Sequence, residues 1–389
     1  MLNQLRLLCV TILGLNTLAT PSFADHAETS ADNKGIKIEQ GDTKFKIGGR
    51  IVLDHDEFDG VHNNGNTGSG TVLRRARLTI QHSLSKKLDG KLMISFDDKN
   101  KKINVNDAYI KYKIWDGVEM TIGKSKAVFG MEALASSKYI PTIERSMASD
   151  AFAPSRKHGL TLFAQGGGLT AASSVYIEDK TDTNRQTYAW AGRATYAPIH
   201  TNSAVIHLGL AGLYRDIGGN DYQIKKTAEV NQANKIVKSG LTVADNAALL
   251  ALETAIGLGA FTFEAEYMKA DVEAEQASDF GDAAYYGYYA TIGYFLTGET
   301  FSYKKGLFGK PKFRPGHSAW QLVAKFSNLD ANDNNQGVEV ENITLGVNYY
   351  PNSNLRLSAN YIMTDVKSSN ANLNEYDGEA LTFRVQYLF

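Results

Sequence analysis

The stretch LTFRVQYLF (Leu381–Phe389) closes the chain and alternates between apolar and polar residues up to Leu388. A period of two is the pattern of a β-strand whose two faces meet different surroundings. One face carries aromatic and aliphatic side chains, while the other carries Thr382, Arg384 and Gln386. The stretch therefore predicts a strand with an apolar medium on one side and a polar medium on the other.

The same alternation recurs along most of the chain and predicts sixteen strands. Short connectors such as 84–89 and 259–260 alternate with long ones such as 58–70 and 125–158. This spacing is typical of an up-and-down meander that has tight turns at one end and loops at the other. The predicted strands lie near 44–57, 71–83, 90–98, 105–114, 118–124, 159–165, 169–179, 187–197, 203–215, 248–258, 261–272, 285–296, 319–329, 338–350, 354–365 and 379–389.

The chemistry of the two predicted faces indicates what surrounds the strands. The apolar face is rich in aromatic residues, and the opposite face is polar and often small, as at Ala189, Ala191 and Thr195. An outer-membrane barrel has this pattern, because its outer face meets lipid and its inner face meets water. Closure removes unpaired strand edges, and about sixteen strands leave a water-filled lumen. The alternative, a secreted array of β-sandwiches, predicts a solvent face rich in Lys and Glu.

The N-terminal residues predict export. Residues 1–24 combine a positively charged start, an apolar stretch over 7–18 and a small-x-small cleavage site, as in a secretory signal peptide. Residues 25–43 then form a short N-terminal periplasmic segment ahead of the barrel, which is predicted over 44–389. Cys9 is the only cysteine of the chain, so the exported protein is expected to have neither a disulfide nor a thiolate metal site.

Several longer stretches resemble one family of outer-membrane proteins. The run SSKYIPTIERSMASDAFAPSRKHGL (Ser136–Leu160) resembles the phosphate-selective porin O and P family, as do YFLTGETFSY (Tyr294–Tyr303) and AWQLVAKFSNLD (Ala319–Asp330). The run NITLGVNYYPNSNLRLSANYIMTDV (Asn342–Val366) and the early segments RRARL and DAYIKY continue the resemblance in family order. Together these stretches cover most of the predicted barrel.

The resemblance implies a 16-stranded antiparallel transmembrane β-barrel that forms a trimer in the bacterial outer membrane. It also implies a long third loop folded into the lumen as a constriction. The longest predicted connector, Ser125–His158, is the third long one, so it takes this role over about 125–158. The terminal aromatic Phe389 resembles the signal by which the barrel-assembly machinery recognises such chains.

The distribution of charge indicates an anion pathway. Residues 71–158 hold 17 Lys and Arg against 9 Asp and Glu, whereas residues 216–283 hold 5 against 12. Rings of Arg or Lys in a narrow passage lower the barrier for anions, and guanidinium groups grip phosphate oxygens in pairs. The candidate pathway residues are Arg75, Arg77, Lys111 and Lys113 on the wall and Lys126, Lys138, Arg145, Arg156 and Lys157 on the constriction loop.

Some charged residues allow a second interpretation. Arg74 lies in the lipid-facing phase, so it is expected to contact headgroups or lipopolysaccharide as readily as the lumen. Glu144 and Arg145 could form an ion pair that pins the loop, and Arg156 and Lys157 could be solvated charges at the rim. The basic segment Tyr303–His317 lies on the periplasmic side by strand parity, and its role stays open. Strand parity also turns further charges inward: Lys91, Arg193, Lys325, Arg356 and Arg384, and the acidic Asp97, Glu264 and Glu266.

The predicted function is passive diffusion of small inorganic anions, phosphate or polyphosphate among them, through a pore lined by Arg and Lys. A general diffusion porin with little ion selectivity is the alternative. A barrel lipase or protease is disfavoured because the eight His residues are scattered and form no Ser-His-Asp grouping. No cofactor, metal or nucleic acid is predicted as a ligand. The expected partners are outer-membrane lipid and lipopolysaccharide, the assembly machinery, and two further copies of the chain.

Overall fold

The computed structural model describes residues 28–32, 35–97, 101–178, 186–275, 281–369 and 376–389. The predicted signal peptide over 1–24 lies outside these ranges, and the side chain of Asp97 is likewise not among those described.

The chain forms one antiparallel sheet of 18 strands, sixteen of which close into a barrel where the last strand pairs with the third. The sixteen-stranded barrel expected from the sequence is confirmed. The strands are β1 (Glu28–Asp32), β2 (Gly35–Gln40), β3 (Thr43–Phe58), β4 (Gly68–Ser83), β5 (Leu88–Asp97), β6 (Lys102–Trp115), β7 (Val118–Lys126), β8 (Arg156–Gly166), β9 (Leu169–Ile177), β10 (Tyr188–His200), β11 (Ala204–Tyr222), β12 (Lys225–Lys226), β13 (Val237–Lys238), β14 (Thr242–Leu258), β15 (Phe261–Ala274), β16 (Ala283–Phe295), β17 (Thr300–Lys304), β18 (Leu307–Lys312), β19 (Ala319–Asp330), β20 (Val338–Tyr350), β21 (Leu355–Ser369) and β22 (Asp377–Leu388).

The barrel consists of β3–β11, β14–β16 and β19–β22, while the other six strands were not predicted from the sequence. The connectors carry a short 3-10 helix (Gly60–Asn63) and the helices α1 (Met131–Leu134) and α2 (Met147–Phe152). Within the described ranges, no helix is long and apolar enough to cross a membrane.

The last strand shows how the two faces of the wall differ. Phe383 and Tyr387 on β22 are 40% and 48% exposed, whereas Arg384 between them is 1% exposed. Similar exposed apolar side chains occur along the other barrel strands, as at Trp190, Leu252 and Leu345. A continuous apolar outer surface of this kind is stable only against lipid. The predicted orientation of LTFRVQYLF is therefore confirmed.

The inner face of β10, β11, β14 and β15 is lined by small residues at the loop end. Alanine at these positions leaves space that the connectors fill. Helix α2 and the connector 223–241 pack there and form an apolar cluster with the wall. Close packing requires such complementary volumes, so the small inner residues predicted to line water support the packed connectors in this part of the barrel. These wall residues are Ala189, Ala191, Ala211, Ala247, Ala251 and Ala270.

A β-bulge in β4 overturns the expectation for Arg74. Val52 of β3 pairs with Arg75 and the next residue, Leu53, pairs with Leu73, so Arg74 is the extra residue of the bulge. A bulge interrupts the in-out alternation of a strand. Consequently Arg74 does not face lipid: its guanidinium forms an ion pair with Glu144 of the long connector.

The segment 25–43 ahead of the predicted barrel contains two strands within its described part. β1 pairs with β2, and β2 pairs with the first residues of β3, as in the pair Ile36–Ile47. On the same edge of β3, the backbone N–H of Gly49 donates to the carbonyl of Phe389 at 2.7 Å. The β1–β2 hairpin thus pairs with the first residues of β3, which β22 does not reach. An open strand edge there could pair with other chains.

Candidate functional site

Glu144 anchors the long connector between β7 and β8, which spans residues 127–155 and is called the first connector. Its carboxylate accepts hydrogen bonds from Arg74 Nε at 3.0 Å and from Arg384 Nη2 at 2.8 Å, and Arg75 Nη2 lies 3.8 Å away. Burial alone would raise the pKa of Glu144, but the three guanidinium groups hold that pKa well below its usual range. Glu144 therefore stays ionised and fixes the connector to β4 and β22.

Three basic wall residues, Arg384 among them, bind carbonyl groups of the same connector. Arg384 Nη1 donates to the Ile143 carbonyl at 2.5 Å, and Arg356 Nη1 donates to the Ile140 carbonyl at 2.9 Å. Lys325 Nζ donates to the Glu144 carbonyl at 3.1 Å. These side chains face inward as predicted, yet they are buried beneath the connector. Their charges hold the connector in place and do not line an open passage.

The other half of the connector attaches to a different part of the wall. Glu266 of β15 accepts hydrogen bonds from the backbone N–H groups of Met131 at 2.5 Å and Glu132 at 2.8 Å. Tyr289 Oη of β16 donates to the same carboxylate at 2.7 Å. The connector thus contacts β15 as well as the β19–β22 side of the barrel.

Glu144 and Arg145 do not form the ion pair that the sequence left open, because Glu144 pairs with Arg74 and Arg384. Arg145 Nε donates to the Glu132 carbonyl and Arg145 Nη2 to the Ala135 carbonyl, each at 2.9 Å. Glu144 reaches the wall, while Arg145 closes the connector on itself.

The connector 223–241 packs beside the first one. Glu229 Oε2 forms an ion pair with Lys325 Nζ at 2.5 Å, and Glu229 Oε1 accepts from the Met147 N–H at 3.2 Å. Burial raises the pKa of Glu229. The Gln232 N–H donates to Asp56 Oδ2 of β3 at 3.0 Å. This second connector therefore joins α2 to strands far from its own ends.

A basic cavity of about 690 Å³ lies between the first connector and the inner wall of β3–β8. It holds two acidic side chains, Asp107 and Asp150, against ten basic ones. Seven of the nine residues predicted for the anion pathway lie here. The basic lining consists of Arg50, Arg75, Arg77, Lys91, Lys111, Lys126, Lys138, Arg145, Arg156 and Lys226.

Two arginines of the cavity retain unused hydrogen-bond donors. Arg50 Nη2 donates to Ser137 Oγ at 2.8 Å, but Arg50 Nε and Nη1 have no partner in the part of the chain that the structure describes. Arg75 Nη1 likewise has no hydrogen-bond partner among the described residues. Arg77 Nε donates to Ser95 Oγ at 2.9 Å. Buried donors of this kind are normally satisfied, so an anion that enters the cavity meets guanidinium groups ready to bind it.

Other basic residues of the cavity are partly neutralised. Arg156 and Lys91 both pair with Asp107, the latter at 2.7 Å. Lys126 Nζ donates to the carbonyls of residues 133, 134 and 135 at 2.6 to 2.9 Å, which tightens the turn around α1. Lys111 Nζ lies 3.4 Å from Glu119 Oε2. The cavity is therefore positive, and Arg50 and Arg77 carry its least neutralised charge.

Two predicted residues lie elsewhere. Lys113 is exposed near the end of β6 and does not line the cavity. Lys157 is buried against Glu178 at 2.8 Å. Conversely, the predicted set omitted Arg50, Lys91 and Lys226, although strand parity turns Lys91 inward. Arg50 shares the inward phase of Asp54, so strand parity could have found it. Lys226 reaches the cavity from a folded connector, and no local pattern reveals that.

Lys138 links the basic cavity to a smaller one of about 180 Å³ near the chain end. Lys46, Lys310 and Phe389 line this second cavity. Burial lowers the pKa of Lys138 to about 8, and repulsion by Arg50 is the next largest cause of this shift. The side chain thus lies where the two spaces meet.

The described residues contain no group of His, Cys, Asp or Glu side chains arranged to hold a metal ion. A closed sixteen-stranded barrel with an apolar outer surface and a charged cavity along its inner wall defines the class of outer-membrane porins. The chain matches the family described as "Phosphate-selective porin O and P" over residues 45–389, and it belongs to that family. The resemblance seen in the sequence is confirmed.

Individual relatives agree with this assignment. Porin O of Pseudomonas aeruginosa is 25% identical, and the match covers 91% of this chain and 91% of that protein. An anion-selective porin from Comamonas acidovorans has the same fold with a TM-score of 0.59 at 11% identity, over 89% of this chain and all of that structure. OmpT of Vibrio cholerae in a trimer form gives a TM-score of 0.57 at 9% identity, over 90% of this chain and 100% of that one. The protein is thus a bacterial outer-membrane β-barrel, and its family consists of channels.

Proposed function

We propose that this porin conducts small anions, and that phosphate or polyphosphate is the class of solute it favours. The observation that carries the proposal is the cavity with ten basic and two acidic side chains. In a narrow space with low-dielectric walls, such an excess attracts anions and repels cations. Guanidinium groups also match phosphate oxygens in pairs, which supports phosphate over simple halides.

In this proposal the connector 127–155 lies across the lumen and forms the constriction. Its contacts with β4, β15, β19 and β22 support that arrangement, because these strands lie around much of the barrel's circumference. The pathway then runs off-centre, between the connector and β3–β8. The predicted pathway residues within the cavity are proposed to bind passing anions, and Lys113 and Lys157 are proposed to act outside the narrow part.

A general diffusion porin is the second candidate, and one observation favours it. Asp107 neutralises Arg156 and Lys91, and Glu119 lies beside Lys111. If such pairing extends through the passage, selectivity is weak. The unpaired donors of Arg50 and Arg75 favour the selective pore.

The expected partners follow from the same proposal. We propose a homotrimer, supported by OmpT of Vibrio cholerae, which has the same fold and is described in a trimer form. Lipid and lipopolysaccharide are proposed to cover the remaining apolar surface, and Phe389 to be read by the assembly machinery. A signal peptide over 1–24 and the absence of catalytic activity stay predictions.

The test is the reversal potential of the purified protein in a planar bilayer under a KCl gradient, repeated with phosphate added. We expect a reversal potential whose sign shows that chloride permeates more readily than potassium. We also expect phosphate to block the chloride current. A preference for potassium would overturn the anion proposal. Chloride preference without block would overturn phosphate as the favoured class.

Lys138 is expected to make anion preference depend on pH. Its pKa of about 8 means that the ammonium is charged at pH 6 and largely neutral at pH 10. The chloride-to-potassium permeability ratio should therefore fall as the pH rises through this window. Lys138→Arg, which keeps its charge, should abolish the fall. A fall of the same size in the Arg variant would assign the titration to another group.

A further inference from the structure

The connector between β16 and β19 (296–318) carries a hairpin that its position does not require. β16 and β19 are neighbours in the sheet, and neighbouring antiparallel strands can be joined by two residues. Here β17 and β18 form a separate hairpin over 300–312 whose turn residues, Lys305 and Gly306, have φ of 54° and 72°. Two left-handed residues in succession are the geometry of a tight hairpin turn, and glycine tolerates it best.

The tip of hairpin 300–312 binds the opposite wall of the barrel. Lys305 Nζ forms an ion pair with Glu119 Oε2 of β7 at 2.5 Å. Arg193 Nη2 of β10 donates to the Gly306 carbonyl at 2.9 Å. In the order of pairing around the barrel, β7 lies directly across from β19. A hairpin that starts beside β19 and ends at β7 must pass through the barrel interior.

The hairpin is also held by apolar packing next to its turn. Phe308 packs with Val205, Ala255 and Met131, the last of which belongs to α1 of the long connector. Gly257 lies beneath this ring, and a Cβ atom there would come within 3.1 Å of it. Tyr303 Oη and His207 Nδ1 are hydrogen-bonded at 2.6 Å. The hairpin therefore supports the long connector from the short-turn end of the barrel.

The hairpin also separates two chemically different parts of the interior. On one side, Leu307 lines the basic cavity. On the other, Phe301 and Phe308 cover Glu264 in an enclosed space of about 10 Å³. If the hairpin left its position, the passage would widen and this inner carboxylate would be uncovered.

We propose that hairpin 300–312 sets the upper size limit for solutes, with the ion pair between Lys305 and Glu119 as the contact that keeps its tip against β7. This inference rests on the pore of the proposed function but not on its anion preference. The Lys305 and Glu119 side chains are 35% and 17% exposed, so the pair is weaker than a fully buried one. Breaking it should free the Lys305 side of the turn from β7, while Phe308 stays packed and the Gly306 carbonyl stays bound to Arg193.

The test measures neutral sugars of increasing size by swelling of liposomes that contain the full-length protein. Lys305→Ala should raise the swelling rate for a disaccharide by about twofold or more, because pore bore limits the diffusion of neutral solutes. Lys304→Ala is the matched control, since it removes the same charge from an exposed neighbouring side chain. Equal rates for the two variants would overturn the proposal.

A second pair of variants tests the same contact if Lys305→Ala does not assemble. Glu119→Gln breaks the ion pair from the wall side and should also raise disaccharide entry. An engineered disulfide can then reverse the effect. A Cβ atom on Gly306 would come within 2.8 Å of Thr195 Oγ1, so cysteines introduced by Thr195→Cys and Gly306→Cys are close enough to form one. In the Lys305→Ala or Glu119→Gln background, oxidation should restore the original size limit and reduction should remove it.

Failure of the disulfide to change sugar entry would show that the hairpin does not limit the diameter of the pore. The reversal potential, measured on the same variants, separates this inference from the proposed function. A variant series that shifts the size limit in a pore without anion preference supports the hairpin and overturns the anion proposal. An anion-selective pore with an unchanged size limit does the reverse.

Discussion

Replacing both Arg75 and Arg77 by Glu is expected to lower the chloride-to-potassium permeability ratio about tenfold, which corresponds to about 1.4 kcal/mol between the two ions. Both side chains line the basic cavity, and each replacement changes the local charge by two units. At an effective dielectric constant of about 20, one unit charge at roughly 6 Å contributes about 3 kcal/mol before screening by salt. The expected shift therefore survives considerable screening.

The measurement is the reversal potential under a KCl gradient at two ionic strengths. Lys113→Glu is the control, because this exposed lysine lies on a neighbouring part of the wall but outside the cavity. Arg77→Glu alone is the safer first variant, since Arg75 also lies 3.8 Å from Glu144 and a carboxylate there would repel it. Equal selectivity in the Arg77→Glu and Lys113→Glu proteins would place the anion pathway elsewhere.

Glu144→Gln is expected to destabilise the folded protein by about 3–5 kcal/mol, the cost typical of removing one member of a buried ion pair. Arg74, Arg75 and Arg384 would all lose a carboxylate contact, and within the described ranges only Arg384 has a second one, with Asp54. The connector should detach from β4, so the single-channel current should become larger and noisier.

Unfolding of the purified protein in denaturant measures the first effect, and single-channel recording measures the second. Asp150→Asn is the matched control: it removes an exposed carboxylate of the same connector, which pairs with Lys226 at 3.3 Å. Because the folded pKa of Glu144 is depressed, its contribution is present above about pH 4.5 and is lost as the pH falls through the folded pKa. A loss of stability no larger than that of Asp150→Asn would contradict the anchoring role.

Strand parity predicted the wall well because it depends on local pattern. Phe383, Arg384 and Val385 lie on the faces that their alternation predicts, and so do Arg75 and Arg77. Parity failed at Arg74, where a bulge adds one residue to β4. A bulge is defined by the pairing of two strands, so the sequence of one strand does not reveal it.

The roles of the charged residues were harder to predict than their directions. Arg356, Arg384 and Arg77 all face inward, yet the first two hold a connector and only the third lines the cavity. What separates them is the course of the long connector. The contact between Arg384 and Glu144 joins residues 240 positions apart, and no periodicity carries information over that distance.

The sequence by itself determined a closed barrel of about sixteen strands, its family and its lipid-facing surface, because a period of two is a local consequence of a wall between two solvents. Only the tertiary structure decided which inward charges remain open to a solute. Connectors 127–155 and 223–241 and hairpin 300–312 pack against side chains far away in sequence, and each ion pair that they form with the wall neutralises one basic side chain. The barrel follows from neighbouring residues, whereas the passage depends on contacts made across its interior.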